Sequence, residues 1–437
     1  MIGPKLKSLP VPKMQEMHLF PKLAEIPSCL VSSDCFKKKL DRTSSISFPK
    51  AEITSNKRAA RSVSGRERPR PLQLKKMQKI LAQAGIGVHI TKKEAAYIQY
   101  FSGKDPQEKL PRKKFSFLRW DKKESLPPFQ GMIFNKTGRG TDPQRGSKPK
   151  TKSIKCGVTV PVDTEHVEKN LCMVAIWPTN DPSRELEWKS YEATKGLKTI
   201  LQPIGFCEAQ GKKGSNKSYL LFPFYNGPDL YACLEPGVNL KEADRYKIVQ
   251  ALAEGVFALH SRGIVHADLK PENVFISRKT DGSITDVVIG DLPCFSDETT
   301  PMVSLKCTAK YAPIEYHRFS AGQQEFPQGD LQELVTFAWD IWALGCLFCE
   351  VYLQKRLPWA TVSLFGEPRQ IENFVDSMCF NVAQGGHPFG TLISEMLSFK
   401  PNERPSAKEV MDRVNKLSPK EMFSLTEKAQ KWKNYSS

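Results

Sequence analysis

The sequence predicts an α+β fold, β-rich in a first, smaller part and helical in a larger second part, with a basic extension in front. Three observations predict it. From about residue 130 to 224, short apolar runs follow one another at strand length. After 225, apolar positions recur at helical spacing over long windows. Between a helical run and a strand-like run lies a polar loop, Ile-Val-His266-Ala267-Asp268-Leu269-Lys270-Pro271-Glu272-Asn273-Val-Phe-Ile, which carries an acid, a base and an amide.

A chain of 437 residues can hold two ordinary domains, or one large domain with an extension. Charge favours the second arrangement. Residues 1–155 carry 35 Lys+Arg against 12 Asp+Glu, a net +23, and the remainder 30 against 35, a net −5. A polyanionic partner, whether nucleic acid, acidic protein or lipid surface, would therefore be met by the N-terminal part. Eleven cysteines with no regular framework read as free thiols in a reducing compartment, which argues against a disulfide framework or a zinc site. The start, Met1-Ile-Gly-Pro-Lys-Leu-Lys-Ser, lacks the apolar core of a secretory signal. The richest apolar run, Phe337 to Leu353, contains Asp340 and Glu350 and reads as a buried core helix, not a membrane span. The expected location is cytoplasmic or nuclear.

Residues 1–72 mix Lys, Pro, Ser and Arg with few periodic apolar positions, the composition of a disordered extension. Its clusters Lys37-Lys38-Lys39, Lys57-Arg58 and Arg66 with Arg68 and Arg70 fit either import or polyanion-binding elements or a solvated linker. Within 73–125, Leu74, Met77, Ile80, Leu81 and Ala84 mark one helix, and Thr91-Lys-Lys-Glu94 opens a second through Ala95, Tyr97, Ile98 and Phe101. This basic hairpin is either a docking element or a faint likeness of the S4 type of RNA-binding module. Ile154 to Val162 and Leu171 to Trp177 read as strands, and Asp181-Pro182 opens a helix ending near Gly196. Ile204 to Glu208 and Ser218 to Phe224 form a hairpin across a Gly-Lys-Lys-Gly-Ser-Asn turn. Lys241 to Arg262 is a largely buried helix leading into the polar loop, and Val287-Val288-Ile289 is a strand ending at Gly290-Asp291.

The polar loop suits phosphoryl transfer: Asp268 to accept a hydroxyl proton, Lys270 to face the transferred phosphate, Asn273 to bind a divalent ion. His266-Ala-Asp-Leu-Lys-Pro-Glu-Asn273 resembles the catalytic loop of eukaryotic-type protein kinases, serine/threonine branch. Further landmarks follow in the family's order: Asp291-Leu292-Pro293, similar to Asp-Phe-Gly; Thr308-Ala-Lys-Tyr311-Ala-Pro313-Ile-Glu315; Asp340-Ile-Trp342-Ala-Leu-Gly345; and Asn402-Glu-Arg404-Pro-Ser. The resemblance covers about 130–415 and implies a bilobal protein-kinase-like fold, with an N-lobe at about 130–224, a C-lobe at about 225–415 and a tail at 416–437. It implies ATP and Mg²⁺ as cofactors and a protein substrate. Asp268 and Lys270 would be catalytic, Asn273 and Asp291 would hold metal, and Phe222, Pro223 and Tyr225 would form the gatekeeper and hinge beside adenine. Asp340 would hold the catalytic-loop backbone, and Glu315 would pair with Arg404. Ala267 replaces the Arg that reads an activation-loop phosphate, so control at Thr299, Thr300, Ser304 or Thr308 is not implied.

The nucleotide side departs from the pattern. Val174-Ala175-Ile176-Trp177 aligns with Val-Ala-Ile-Lys, so Trp177 stands where the phosphate-neutralising lysine belongs. The glycine loop is reduced to Gly138-Arg-Gly140, and Pro293 replaces the swivel glycine. Ser153-Ile-Lys155-Cys156 resembles Ser-Phe-Lys-Thr of kinases whose lysine sits on the second strand. Lys155 would then reach the phosphates and pair with Glu192, preferred over Glu187 because it precedes Pro203 by 11 residues; otherwise Lys155 is a solvated strand lysine. The expected function is a serine/threonine protein kinase with an atypical nucleotide clamp. The alternatives are a pseudokinase scaffold and an RNA-binding protein with a vestigial kinase fold. The polar stretch Gln323 to Gln332, within the long 316–339 spacing, has no assigned role.

Overall fold

The computed structural model describes residues 50–51, 71–83, 115–119, 131–135, 153–160, 170–178, 183–210, 216–279, 281–292, 307–322, 335–357, 368–383 and 386–424. All lie in one unit, Pro49–Ser437. The basic clusters before residue 50, the run opening at Thr91, Gly138-Arg-Gly140, Pro293, Thr299, Thr300, Ser304 and the stretch Gln323–Gln332 fall outside the described residues.

Seven strands make one sheet in the order β1-β6-β7-β5-β4-β3-β2. They are β1 (Lys50–Ala51), β2 (Phe115–Arg119), β3 (Gly131–Asn135), β4 (Ser153–Val160), β5 (Leu171–Pro178), β6 (Gly205–Gln210) and β7 (Asn216–Pro223). Every pairing is antiparallel except β1 on β6. The centre is apolar on both faces, with Val174, Ala175 and Leu221 all buried, because a layer covers each side. Helix α1 (Pro71–Gln83) touches β4 and buries Met77, Ile80 and Leu81 completely, an i, i+3, i+4 stripe, while Lys75, Lys76 and Lys79 stay in water. Helix α2 (Ser183–Ala193) covers the face carrying Phe206 and Phe222: Trp188 packs on Phe206 at 5.3 Å and Tyr191 on Phe222 at 5.2 Å. The segment read from sequence as a separate basic hairpin thus supplies a cover helix and the edge strand β2. The extension contributes a two-residue edge strand as well.

The second part is helical around one central element. Helix α3 is Leu230–Cys233, α4 Glu242–His260, α5 Ile314–Ser320, α6 Phe337–Leu353, α7 Pro368–Val382, α8 Pro388–Met396, α9 Ala407–Lys416 and α10 Pro419–Phe423. Helix α6 is apolar all round and accordingly buried along its length, packed against α4 and α8. Gly345 permits the α8 approach, since a Cβ there would stand 3.0 Å from Met396 Cβ. Among the described residues no helix is long and apolar enough to cross a membrane, and the described cysteines are free thiols. Capping boxes Ser406/Glu409 and Ser418/Glu421 start the last two helices. The hairpin β8 (Val274–Arg278) and β9 (Ile284–Ile289) stands between the lobes, and Leu201 N–H donates to Ile289 O at 2.8 Å. A β-rich lobe above a helical lobe is the bilobal α+β arrangement expected from the sequence.

Candidate functional site

The polar loop leaves α4 at a turn and enters β8 through a single 3-10 turn, Pro271–Asn273. Its backbone is held from below by one side chain. Asp340 of α6, wholly buried, accepts the His266 N–H at 2.7 Å and the Ala267 N–H at 2.8 Å, and lies 3.0 Å from His260 Nε2. Trp339 Nε1 donates to the Ala267 carbonyl at 3.1 Å. Ala267 sits at φ +60°, a left-handed conformation that these bonds hold in place. The buried charge of Asp340 is therefore met by three donors, as burial of a carboxylate demands. Asp340 anchors the loop as the sequence implied.

On that backbone the loop's side chains converge. Lys270 Nζ donates to Asp268 Oδ2 at 2.5 Å and to Thr308 Oγ1 at 2.9 Å, while the Thr308 N–H donates to Asp268 Oδ1 at 2.8 Å. Both Asp268 oxygens are thus oriented by charge-assisted or backbone donors. Asn273 Nδ2 donates to the Asp268 carbonyl at 2.9 Å, and the Asn273 carbonyl accepts the Gly290 N–H at 2.8 Å. That last bond brings Asp291, at φ +57°, beside Asn273. Leu292 follows, only 2% exposed. Asp268, Lys270, Asn273 and Asp291 therefore share one site, and Thr308 joins them. The Glu315–Arg404 pair is bidentate, at 2.8 and 2.7 Å, with Arg404 lying 4.9 Å over the Trp342 ring.

The sheet above supplies Phe222 and Pro223 at the end of β7 and Tyr225 just beyond. Phe222 is buried between Tyr191 and the strands. Tyr225 lies 6.3 Å from Phe275, and its hydroxyl is pushed up by burial, with a hydrogen bond to Asp286 adding to the effect.

Register corrects two expectations. Lys155 pairs with Val174, whereas Ile154 pairs with Ala175, so Lys155 shares a face with Val174 and Ile176, and Ala175 and Trp177 occupy the other. Ala175 and Trp177 share their face with Phe222, the residue packed on α2. Lys155 therefore stands on the face of the sheet turned away from α2. Burial, and then the neighbouring Lys217, lower its pKa. On the α2 side, β4 and β5 present Ile154, Cys156, Val158, Met173, Ala175 and Trp177, none charged. Trp177 is 2% exposed. The second correction is the helix carboxylate: Glu192 is exposed, whereas Glu187 is 7% exposed. Counting back from Pro203 points to the exposed side of α2 because irregular chain, 194–199, follows where the helix ends. A better signal was available in the helical spacing Glu187, Ser190, Tyr191, Thr194, all of them buried.

A second polar cluster escaped the sequence reading. Glu350 of α6, fully buried, receives Arg356 Nε at 3.1 Å and the Leu357 N–H at 3.0 Å, with the Tyr311 hydroxyl 3.2 Å away. Burial pushes its carboxyl up, and Arg356 opposes the shift.

Comparisons agree with this geometry. Residues 180–414 match the protein kinase domain model, more than half of the chain. Over 204 residues the chain is 26% identical to a calcium and calcium/calmodulin-dependent serine/threonine-protein kinase of Lilium longiflorum, covering 45% of this chain and 35% of that one. It is 28% identical over 199 residues to a calcium/calmodulin-dependent serine/threonine-protein kinase of Malus domestica, covering 45% and 44%. It is 30% identical over 125 residues to MAP kinase-interacting serine/threonine-protein kinase 1 of Xenopus tropicalis, covering 28% and 29%. The chain spans less than half the length of these curated relatives.

Proposed function

Because the chain belongs to the protein kinase family, we propose that it transfers the γ-phosphate of ATP to a serine or threonine hydroxyl of a protein. The observation that carries this reading is the assembled floor of the site, Asp268, Lys270, Thr308, Asn273 and Asp291, in which both oxygens of Asp268 are oriented. Asp268 accepts the proton of the attacking hydroxyl, and Lys270 moves its ammonium from the carboxylate towards the transferred phosphoryl group. Thr308 keeps the carboxylate aimed while Lys270 is engaged elsewhere.

The oxygen donors of Asn273 and Asp291 suit a hard, octahedral cation, so these two residues would hold Mg²⁺. When bound, the ion neutralises charge across the phosphates. Adenine would lie under Phe222, against the Pro223 carbonyl and the Tyr225 N–H. The atypical part is the clamp: β4 and β5 offer no cation on the face carrying Trp177, and the burial of Glu187 favours it over the exposed Glu192 as the helix carboxylate. The buried Trp177 also supports a second reading, a pseudokinase scaffold that binds partners without phosphotransfer. The basic segment before residue 155 would meet a polyanionic partner in either case.

Radiolabelled ATP with wild type beside Asp268→Asn separates the two readings. A loss of about 100-fold or more supports transfer, the scale expected for a positioned general base. Equal background incorporation in both proteins would overturn transfer and leave the scaffold.

A further inference from the structure

The Glu350 cluster lies close to the site's floor. The Thr308 N–H binds Asp268, and three residues later the Tyr311 N–H closes a turn on the Thr308 carbonyl at 2.9 Å. Tyr311 then points its hydroxyl at Glu350. Arg356, in the loop after α6, joins both: Nε bonds Glu350, one terminal nitrogen donates to the Tyr311 hydroxyl at 2.8 Å, and the guanidinium lies 4.0 Å above the Tyr231 ring. Glu272, four residues after Asp268, and Asp229, the N-cap of α3, add negative field around the same guanidinium.

A carboxylate, a hydroxyl and an aromatic face thus contact one cation. That cation comes from a loop of this same chain, not from a helix or strand of the framework. Each contact is one that a guanidinium arriving from outside would make: a carboxylate edge, a phenol oxygen, a ring to stack on. The cluster is tied to Asp268 by the short segment from Thr308 to Tyr311.

We propose that Arg356 is a specificity-determining residue, an internal occupant of a guanidinium subsite beside the catalytic loop that denies the subsite to an arginine of the protein substrate. The inference rests on the reading of the site as one that accepts a protein hydroxyl. With Arg356 in place, acceptors gain nothing from an arginine near the phosphorylated residue. Without it, Glu350, Tyr311 and Tyr231 are open to one.

The test uses the full chain and fluorescein-labelled, Ser-centred peptides in an Ala/Gly background, with Arg placed at one flanking position at a time. Wild type should bind Arg and Ala versions within about twofold of each other, and Arg356→Gln should favour Arg at one position by about tenfold or more, roughly one charged pair's worth. The double variant Glu350→Gln/Arg356→Gln should lose that preference. If Arg356→Gln is poorly folded, Arg356→Ala is melted with and without methylguanidinium. The ion should raise its melting temperature and leave the wild type and the double variant unmoved. An arginine preference already present in wild type, or no preference in Arg356→Gln together with no methylguanidinium effect on Arg356→Ala, overturns the proposal. Phosphate incorporation measured on the same peptides keeps the two ideas apart: binding preferences without incorporation refute transfer alone, and incorporation with an unaltered preference refutes the role of Arg356 alone.

Discussion

The floor of the site and the sheet above it solve opposite problems. Below, each polar group is met by a partner: Asp340 under the loop backbone, Thr308 and Lys270 on Asp268, Arg404 on Glu315. Above, the face towards α2 is apolar along β4 and β5, and the nearest strand lysine, Lys155, looks the other way. The difference teaches that the orientation of Asp268 and Asn273 is set by the helical lobe and not by the sheet. A lobe can keep its reacting geometry while its neighbour changes what it offers to a nucleotide.

Substitutions can break or sharpen this contrast. The largest effect is expected at Glu315→Ala, which strands the Arg404 guanidinium; a buried pair broken from one side costs about 3–5 kcal/mol, read as a lowered urea midpoint. A variant as stable as wild type would mean that the floor is not held by its ion pairs. Gly290→Ala comes next. A Cβ at 290 would stand 2.8 Å from both Leu201 Cδ2 and Phe275 Cε2, so overpacking of about 1–3 kcal/mol is expected together with displacement of Asp291 and weaker Mg²⁺ dependence of nucleotide binding. Unchanged magnesium titrations would detach Asp291 from the metal role.

A smaller effect concerns pH. Burial holds His387 below the ordinary imidazole value, and its Nδ1 accepts the Gly390 N–H at 3.0 Å to cap α8. The unfolded chain then takes up the proton first as pH falls below about 6.5, so stability is lost from there down through the lowered folded value. His387→Asn keeps an acceptor at the cap and does not titrate. Its stability loss between pH 7.5 and 5.5 should be smaller than wild type's by up to about 1 kcal/mol, measured by paired urea unfolding. Equal losses would assign the acid response elsewhere, His317 being another imidazole lowered by burial. The smallest effect is predicted for the sheet: Lys155→Met should leave ATP affinity within about twofold, since the side chain lies on the face turned away from α2. A loss of tenfold or more would put Lys155 back at the phosphates.

The floor was legible in the sequence because its chemistry is local. Asp268, Lys270 and Asn273 fall within six residues, and one helix and one strand fix their directions, so spacing carries the geometry. Asp340, Glu315 and Arg404 are distant in sequence yet lie in short, recognisable strings. The sheet was less legible because its chemistry depends on parity. A strand's side chains alternate, and displacing the inferred alignment of Ser153-Ile-Lys155 by one residue sends the lysine to the wrong face. Glu187 was missed for a related reason: distance to Pro203 says nothing about which side of α2 a residue occupies, whereas the buried stripe through Tyr191 does. Arg356 and Glu350 lie only six residues apart, but the pair forms through a loop whose path no periodicity reports.

The cover helix and edge strands described for the first lobe bear on how this chain is handled at the bench. Five of the seven strands, β1 to β5, precede residue 180, where the family match begins. A recombinant fragment started there would keep α2 and the β6–β7 hairpin but discard β5, leaving the β7 edge at Tyr219, Leu220 and Leu221 without its partner strand. Such a fragment would aggregate or bind nonspecifically, and its silence in an assay would say nothing about the intact chain.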